Sequence, residues 1–303
     1  MIEPADDYRH TLTDRPFDRE SIFHNLHLPE HGISGFLYTW AEAGNLAGYV
    51  VTFYTDNGHE LCFERRDGLA VTGMDFDAWS VGGLTLRHTK ALEVAELSYH
   101  GPDADLELTF TALHRPFSYQ ENTVGCPGWA ADDRFEQSGN VEGVLSLGGK
   151  RIEFATTAHR DHSWGPRDWD SIHHWKWISG QAGPDLTFNA MQTFALGRIY
   201  NNGYVNEGGQ LWPIEDIHVE FDYDETFRHT DVAMTFRSAD GRSVEAQVRR
   251  YAVLPYAPGG AIVMHEAGCV GQAAGRDAIV HVEMGWPTSY VAHQQEALSR
   301  RRP

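Results

Sequence analysis

The feature that most limits the fold of this 303-residue chain is a long series of short segments whose side chains alternate apolar and polar. GYVVTFYT (48–55), ELCFER (60–65), LELTFTAL (106–113), VEGVLSLG (141–148) and RIEFATTAH (151–159) form its first half. DLTFNAMQTFA (185–195), IHVEFDY (217–223), VAMTFRS (232–238), VEAQVRRYAV (244–253) and AIVHVEMGW (278–286) form its second. A period of two, enriched in β-branched and aromatic residues, is the pattern of strands. Turn signals lie between the segments, DNG at 56–58, GG at 148–149, NNG at 201–203 and ADG at 239–241, and such sequences close antiparallel hairpins. Helical periodicity stands out only over VAHQQEALSRR (291–301). The expected fold class is therefore mostly β, from antiparallel strands, with a short C-terminal helix.

A weak internal repeat divides the chain. The stretch from LTLRHTKALEVAELSYH (84–100) to residue 115 resembles ETFRHTDVAMTFRSADGRSVEAQVRR (225–250), and the tetrapeptides LRHT (86–89) and FRHT (227–230) anchor the match. DFD (75–77) and EFD (220–222) precede them. A spacing of about 140 residues is too long for a solenoid or a propeller blade. It suits two tandem β-barrels or barrel-like sandwiches, residues 1–140 and 141–303, with GWAADDRFEQSGN (128–140) as a solvated linker.

Forty-three acidic against 24 basic side chains give a net charge of −19. Such a surface repels phosphate backbones and anionic membranes, which argues against nucleic-acid partners. No run approaches the ~18 apolar residues of a membrane span, and the acidic start MIEPADDYRHTLTDRPFDRE is unlike a secretory signal. A cytoplasmic location is the expectation. Cys62, Cys126 and Cys269 are odd in number and far apart, so neither a disulfide framework nor structural zinc is expected.

Chemistry concentrates in AHRDHSWGPRDWDSIHHWKWISG (158–180), which holds four Trp, four His, three Arg or Lys and three Asp. If RIEFATTAH continues as a strand, Arg160, His162 and Trp164 share one face and Asp161 and Ser163 the other. Gly165-Pro166 ends that strand and puts Arg167, Asp168, Trp169 and Asp170 in a turn. His173, Trp175, Trp177 and Ser179 would share the next face. His159 and His162 diverge on a strand, as do His173 and His174, so the spacing offers no three convergent ligands for a metal at ~2.0–2.3 Å. Asp161 and His162 are the candidate acid–base pair, since burial raises a carboxyl pKa and histidine titrates near neutrality. Trp164, Trp175 and Trp177 are candidate pocket walls, and Arg167 and Trp169 serve equally well as a barrel-corner lock. The histidines of HNLHLPEHGISG (24–35) read as surface residues of a loop. Glu283 in VHVEMGW fits either a lumen carboxylate or an outward ion pair. No GxSxG, P-loop or GxGxxG occurs in a fitting context.

RFEQSGNVEGVLSLGGKRIEFATTAHRDHSWGPRDW (134–169) resembles the central block of the carotenoid 1,2-hydratase-like, or AttH-like, superfamily, through the run from Arg160 to Trp169. The resemblance implies two lipocalin-like barrels and a hydrophobic pocket. It also implies acid-initiated addition or cyclisation on an isoprenoid alkene, with His162 and Trp164 matching the family's His-x-Trp. The family's proton-donating aspartate would lie on the next strand, where LTFNAMQTF (186–194) offers Asn189 and Gln192 instead. The acid must then be Asp161, His162 or a carboxylate from another strand such as Glu283. The resulting expectation is a lyase or isomerase without cofactor or metal, acting on a hydrophobic terpenoid or steroid-like molecule. Its site would comprise Asp161 and His162 as catalytic groups, with Trp164, Arg167, Trp169, Trp175, Trp177, Asn189 and Glu283 binding substrate. The alternative is a lipocalin-like carrier of such a ligand. Whether the chain forms a homodimer is not legible in the sequence.

Overall fold

The computed structural model describes residues 1–300. It is mostly β, with two large curled antiparallel sheets and one short C-terminal helix. The chain forms two compact units. The first holds Met1–Leu28, Ser34–Tyr54 and Glu60–Trp169; the second holds Pro29–Ile33, Thr55–His59 and the chain from Asp170 onward.

The first unit contains β1 (Asp18–Leu28), β2 (Ile33–Glu42), β3 (Leu46–Tyr54), β4 (Glu60–Ala70), β5 (Trp79–Val81) and β6 (Leu84–Lys90). It continues with β7 (Val94–His100), β8 (Ala104–Ala112), β9 (Phe117–Ser118), β10 (Asp133–Leu147) and β11 (Lys150–Pro166). Their order is β4-β3-β2-β1-β11-β10-β8-β7-β6-β5, and β9 pairs with β10. The second unit contains β12 (Ile172–Ala182), β13 (Leu186–Ala195), β14 (Arg198–Glu207), β15 (Gln210–Pro213), β16 (Asp216–Tyr223), β17 (His229–Arg237), β18 (Ser243–Tyr256), β19 (Ile262–Ala273) and β20 (Arg276–Pro287). Their order is β15-β14-β13-β12-β20-β19-β18-β17-β16. Helix α1 (Thr288–Arg300) follows; residue 301 of the expected helix lies outside the described residues.

The two paths match, except that β5 and β9 of the first unit have no counterpart in the second. In each unit the first strand pairs with the last, β1 with β11 and β12 with β20, and a final hairpin carries that pairing to the outer meander. This equivalence sets β7 against β17 and β8 against β18, so VAELSYH (94–100) corresponds to VAMTFRS (232–238). LRHT and FRHT are not equivalent, because LRHT lies in β6 whereas FRHT leads into β17.

Residue 140, the expected end of the first domain, lies within β10, and residues 141–169 group with the first unit. The cause is β11, which is held between β10 and β1. Residues 133–140 are strand rather than linker, and Glu136 there is fully buried. HNLHL is likewise strand, and His24 and His27 are buried rather than on the surface.

The second unit's core gathers Ile178, Phe188, Phe236, Ala267, Val282 and Met284. Alternation then turns Trp175, Trp177, Asn189, Glu266, His281 and Glu283 to the opposite face of the same strands.

Candidate functional site

Strand β11 carries a different network on each face. On one, the Arg160 guanidinium donates to Asp7 Oδ1 at 2.9 Å and to Gln137 Oε1 at 2.8 Å. Two residues on, His162 Nε2 donates to Glu20 Oε1 at 2.8 Å, and His10 Nδ1 donates to the same oxygen at 2.7 Å. The His10 ring stacks on Trp164 at 3.8 Å, and Phe76 and Phe135 meet His162 edge-on. Burial pushes the Glu20 carboxyl up, but the bonds from His10 and His162 outweigh it and hold the group below its usual range. This face binds the N-terminal residues Asp7 and His10 to the motif strand.

On the other face His159 Nε2 donates to Glu136 Oε2 at 2.7 Å, and Tyr119 Oη donates to Glu136 Oε1 at 2.8 Å. Arg134 bridges Glu136 and Asp161, at 2.6 and 2.8 Å. Burial raises the Asp161 carboxyl in spite of Arg134. Arg167 donates to Ser163 Oγ and to Ala130 O, and its guanidinium lies over Trp169 at 5.7 Å. Gly165 permits the corner. Its φ is +109°, and a Cβ there would strike the Asp132 backbone. Asp161 and His162 thus leave the strand on opposite sides and share no hydrogen-bond partner; Trp164 joins His162, while Arg167 and Trp169 hold the turn.

The second unit presents a carboxyl pair. Glu266 on β19 and Glu283 on β20 are direct cross-strand partners. His281 Nε2 donates to Glu266 Oε2 at 2.8 Å, and one ligand atom from each of the three residues lies within 4.8 Å of the others. Trp175 Nε1 donates to Glu283 Oε1, and Trp177 meets the His281 ring edge-on at 5.4 Å. The Trp175 indole occupies the space where Gly285, its cross-strand partner, has no Cβ. Burial drives the Glu266 pKa to about 8, although a hydrogen bond with Glu283 opposes the shift. Two close carboxyls cannot both ionise cheaply out of water, so one keeps its proton at neutral pH. Asn189 is buried beside this group, with Nδ2 donating to Ile178 O at 3.2 Å.

The two units repeat this arrangement. Glu136 pairs with Asp161 as Glu266 pairs with Glu283. Each glutamate takes a bond from the histidine two residues before its partner acid, at 2.7 Å in the first unit and 2.8 Å in the second. The shared pattern is Glu on the penultimate strand and His-x-acid on the last. The sequence singles out Asp161 and Glu283 as candidates but does not point to Glu136, His159's bond to it, Glu266 or His281.

Two groups could hold a metal ion, His10–Glu20–His162 and Glu266–His281–Glu283. Neither follows from sequence spacing, because each draws on more than one strand or segment. In both, one nitrogen of each imidazole already donates to a carboxyl oxygen, so a cation bound at those atoms would have to separate the pairs.

Residues 3–288 match the model of a family described as a domain of unknown function, DUF7064. The chain belongs to that family. No curated protein sequence matches it. Among solved structures, a protein provisionally labelled AttH from Nitrosomonas europaea is similar with a TM-score of 0.61 and 14% identity, over 89% of this chain and 92% of that one. Kievitone hydratase from Nectria haematococca is similar with a TM-score of 0.60 and 8% identity, over 89% of each chain. At these identities the likeness is one of fold, and it agrees with the AttH-like architecture implied by the motif strand. No helix among the described residues is long and apolar enough to cross a membrane.

Proposed function

We propose that the chain is a hydratase-type enzyme, a hydro-lyase or isomerase that uses its own side chains to move protons on a hydrophobic, alkene-bearing substrate of terpenoid or steroid-like character. The observation that carries the reading is the pair of buried Glu266 and half-buried Glu283, with His281 on one carboxyl and Trp175 on the other. The fold shared with kievitone hydratase supports the reaction class.

In the hydration direction, protonated Glu266 gives its proton to the alkene carbon. The cation that forms is held against the faces of Trp175 and Trp177, an attraction of up to ~2 kcal/mol when desolvated. Water adds to the cation and loses a proton to Glu283. The hydrogen bond between the carboxyls returns that proton to Glu266. Elimination runs the same steps backwards, and isomerisation loses a proton from a neighbouring carbon instead. Asp161, whose carboxyl burial also raises, is the second acid in this proposal; it stands in the first unit where Glu283 stands in the second. His162, tied to Glu20, holds the N-terminal segment in place.

The test is incubation with prenyl alcohols, terpenes and steroids in D₂O, followed by mass spectrometry. Deuterium on carbon, or a mass gain equal to one D₂O, supports proton transfer and gives the substrate class. A compound that binds tightly and never exchanges overturns the enzyme reading for that compound and favours the carrier.

A further inference from the structure

Lysine is scarce in this protein. The sequence contains three, Lys90, Lys150 and Lys176, against 21 arginines. Lys90 pairs with Glu93 on the surface and Lys150 sits exposed at the start of β11. Lys176 is different. It lies on β12 two residues before Ile178, so it points to the core side of the second sheet, away from Trp175 and Trp177. It is 8% exposed, and no carboxylate among the described residues pairs with it. Its one hydrogen bond is a long one, 3.4 Å to Gln192 Oε1. Burial alone lowers its pKa, with no acidic neighbour to raise it.

Its surroundings are aromatic. The ammonium lies over Trp286 at 5.8 Å, His174 stacks on the same indole, and Phe221, Phe227 and Tyr290 pack around it. The strands meeting here are the start of β12, the ends of β13, β16 and β20, and the first turn of α1. The same end carries four of the exposed large apolar residues, Leu196, Ile199, Tyr223 and Tyr290. An apolar rim, an aromatic wall and an unpaired buried cation therefore occur together. A buried charge without a counter-ion is costly, and a single compact ammonium matches a monoanion rather than a diphosphate, which needs several cations.

We propose that this end of the second unit binds the carboxylate of an amphiphile with an apolar tail, such as a fatty or isoprenoid acid, with Lys176 as its counter-ion. The site is separate from the carboxyl pair, since it lies on the other face of β12, and it goes beyond the proposed reaction.

The experiment is a binding titration of the intact chain with a long-chain fatty acid, its methyl ester and its alcohol, in parallel with Lys176→Met and Lys176→Arg. The acid is expected to bind roughly 10–100-fold more tightly than the ester, the worth of a hydrogen-bonded charge. Lys176→Met should erase that difference while leaving ester affinity unchanged, which also reports an intact barrel. Lys176→Arg should keep part of it. Bound acid should further protect Lys176, but not Lys90 or Lys150, from acetylation as read by peptide mass mapping. Equal affinity for acid and ester, or an acid preference that survives Lys176→Met, overturns the proposal. Both readouts are independent of turnover, so a failed reaction assay leaves this result standing.

Discussion

Glu266 and Glu283 face each other across the β19–β20 hairpin, and His281, two residues before Glu283, donates to the Glu266 carboxyl at 2.8 Å. A proton can be stored there because burial favours the neutral acid by more than the Glu283 hydrogen bond opposes it. Glu266→Gln keeps the shape and removes the transferable proton. It is expected to lower turnover about 10²–10⁴-fold while ligand binding stays within a few-fold. A substrate-bound variant with undiminished turnover would move the acid elsewhere, with Asp161 next to test.

The same group sets a pH signature in stability. Its pKa rises from an ordinary 4.5 to about 8 on folding, so between those values the folded state binds more protons than the unfolded one. Stability falls as pH rises through that window, by an amount on the order of a few kcal/mol, and levels off above it. Urea melts from pH 5 to 9 should give a downward slope that is shallower in Glu266→Gln. Activity carried by the acid form should decline as pH passes about 8.

His10 contributes a second slope of the same sign. Burial lowers its pKa, but the Glu20 hydrogen bond outweighs this and raises it above 6.5. Its stabilising effect is complete below the ordinary value and is lost as pH rises through the folded one. Amide exchange over residues 5–10 should therefore accelerate in alkaline buffer. His10→Gln should flatten that dependence.

Asp7 and Arg160 are both buried, at 1% and 2% exposure, and Asp7→Asn leaves a guanidinium without its counter-charge. The expected loss is about 3–5 kcal/mol, read as a lower urea midpoint. Arg151→Ala, which breaks an exposed pair with Glu153, should leave the midpoint unchanged.

Gly285→Ala places a methyl group in the Trp175 indole. The ring must shift, which weakens its bond to Glu283. About 1–3 kcal/mol of stability should be lost, along with a change in tryptophan emission and reduced turnover. Unaltered emission would show that Trp175 has room to spare.

Strands buried on one face are plain in the sequence, and of those buried on both only the ones rich in β-branched and aromatic residues, such as β3 (GYVVTFY), are legible. β8 and β18 alternate, so their period of two is visible. DRESIFHNLHL (β1) and the middle of β19 are buried almost without a break, and the alternation that marks a strand is lost. Glu266 was missed for this reason, since it lies in a segment, MHEAGC, that never read as a strand. Glu283 sits in VHVEMGW, whose strand pattern is legible, but the pattern does not say what surrounds its carboxyl. The alternation of β11 correctly separated Asp161 from His162. What spacing along the chain could not supply was the partner of each, because Glu20 and Asp7 come from the far N-terminus and Arg134 and Glu136 from the neighbouring strand.

Arg160 is 153 positions from Asp7, and His162 is 142 from Glu20. Translation delivers the acids first and their bases last. At about 5–20 residues per second, a nascent chain holds Asp7 without Arg160 and Glu20 without His162 for roughly 10–30 s before β11 leaves the ribosome. β1 pairs with β2 and β11, so half of its backbone ladder waits equally long. The first unit cannot be completed piecemeal as it emerges, and its early strands need shelter from one another's exposed edges until their last partner arrives.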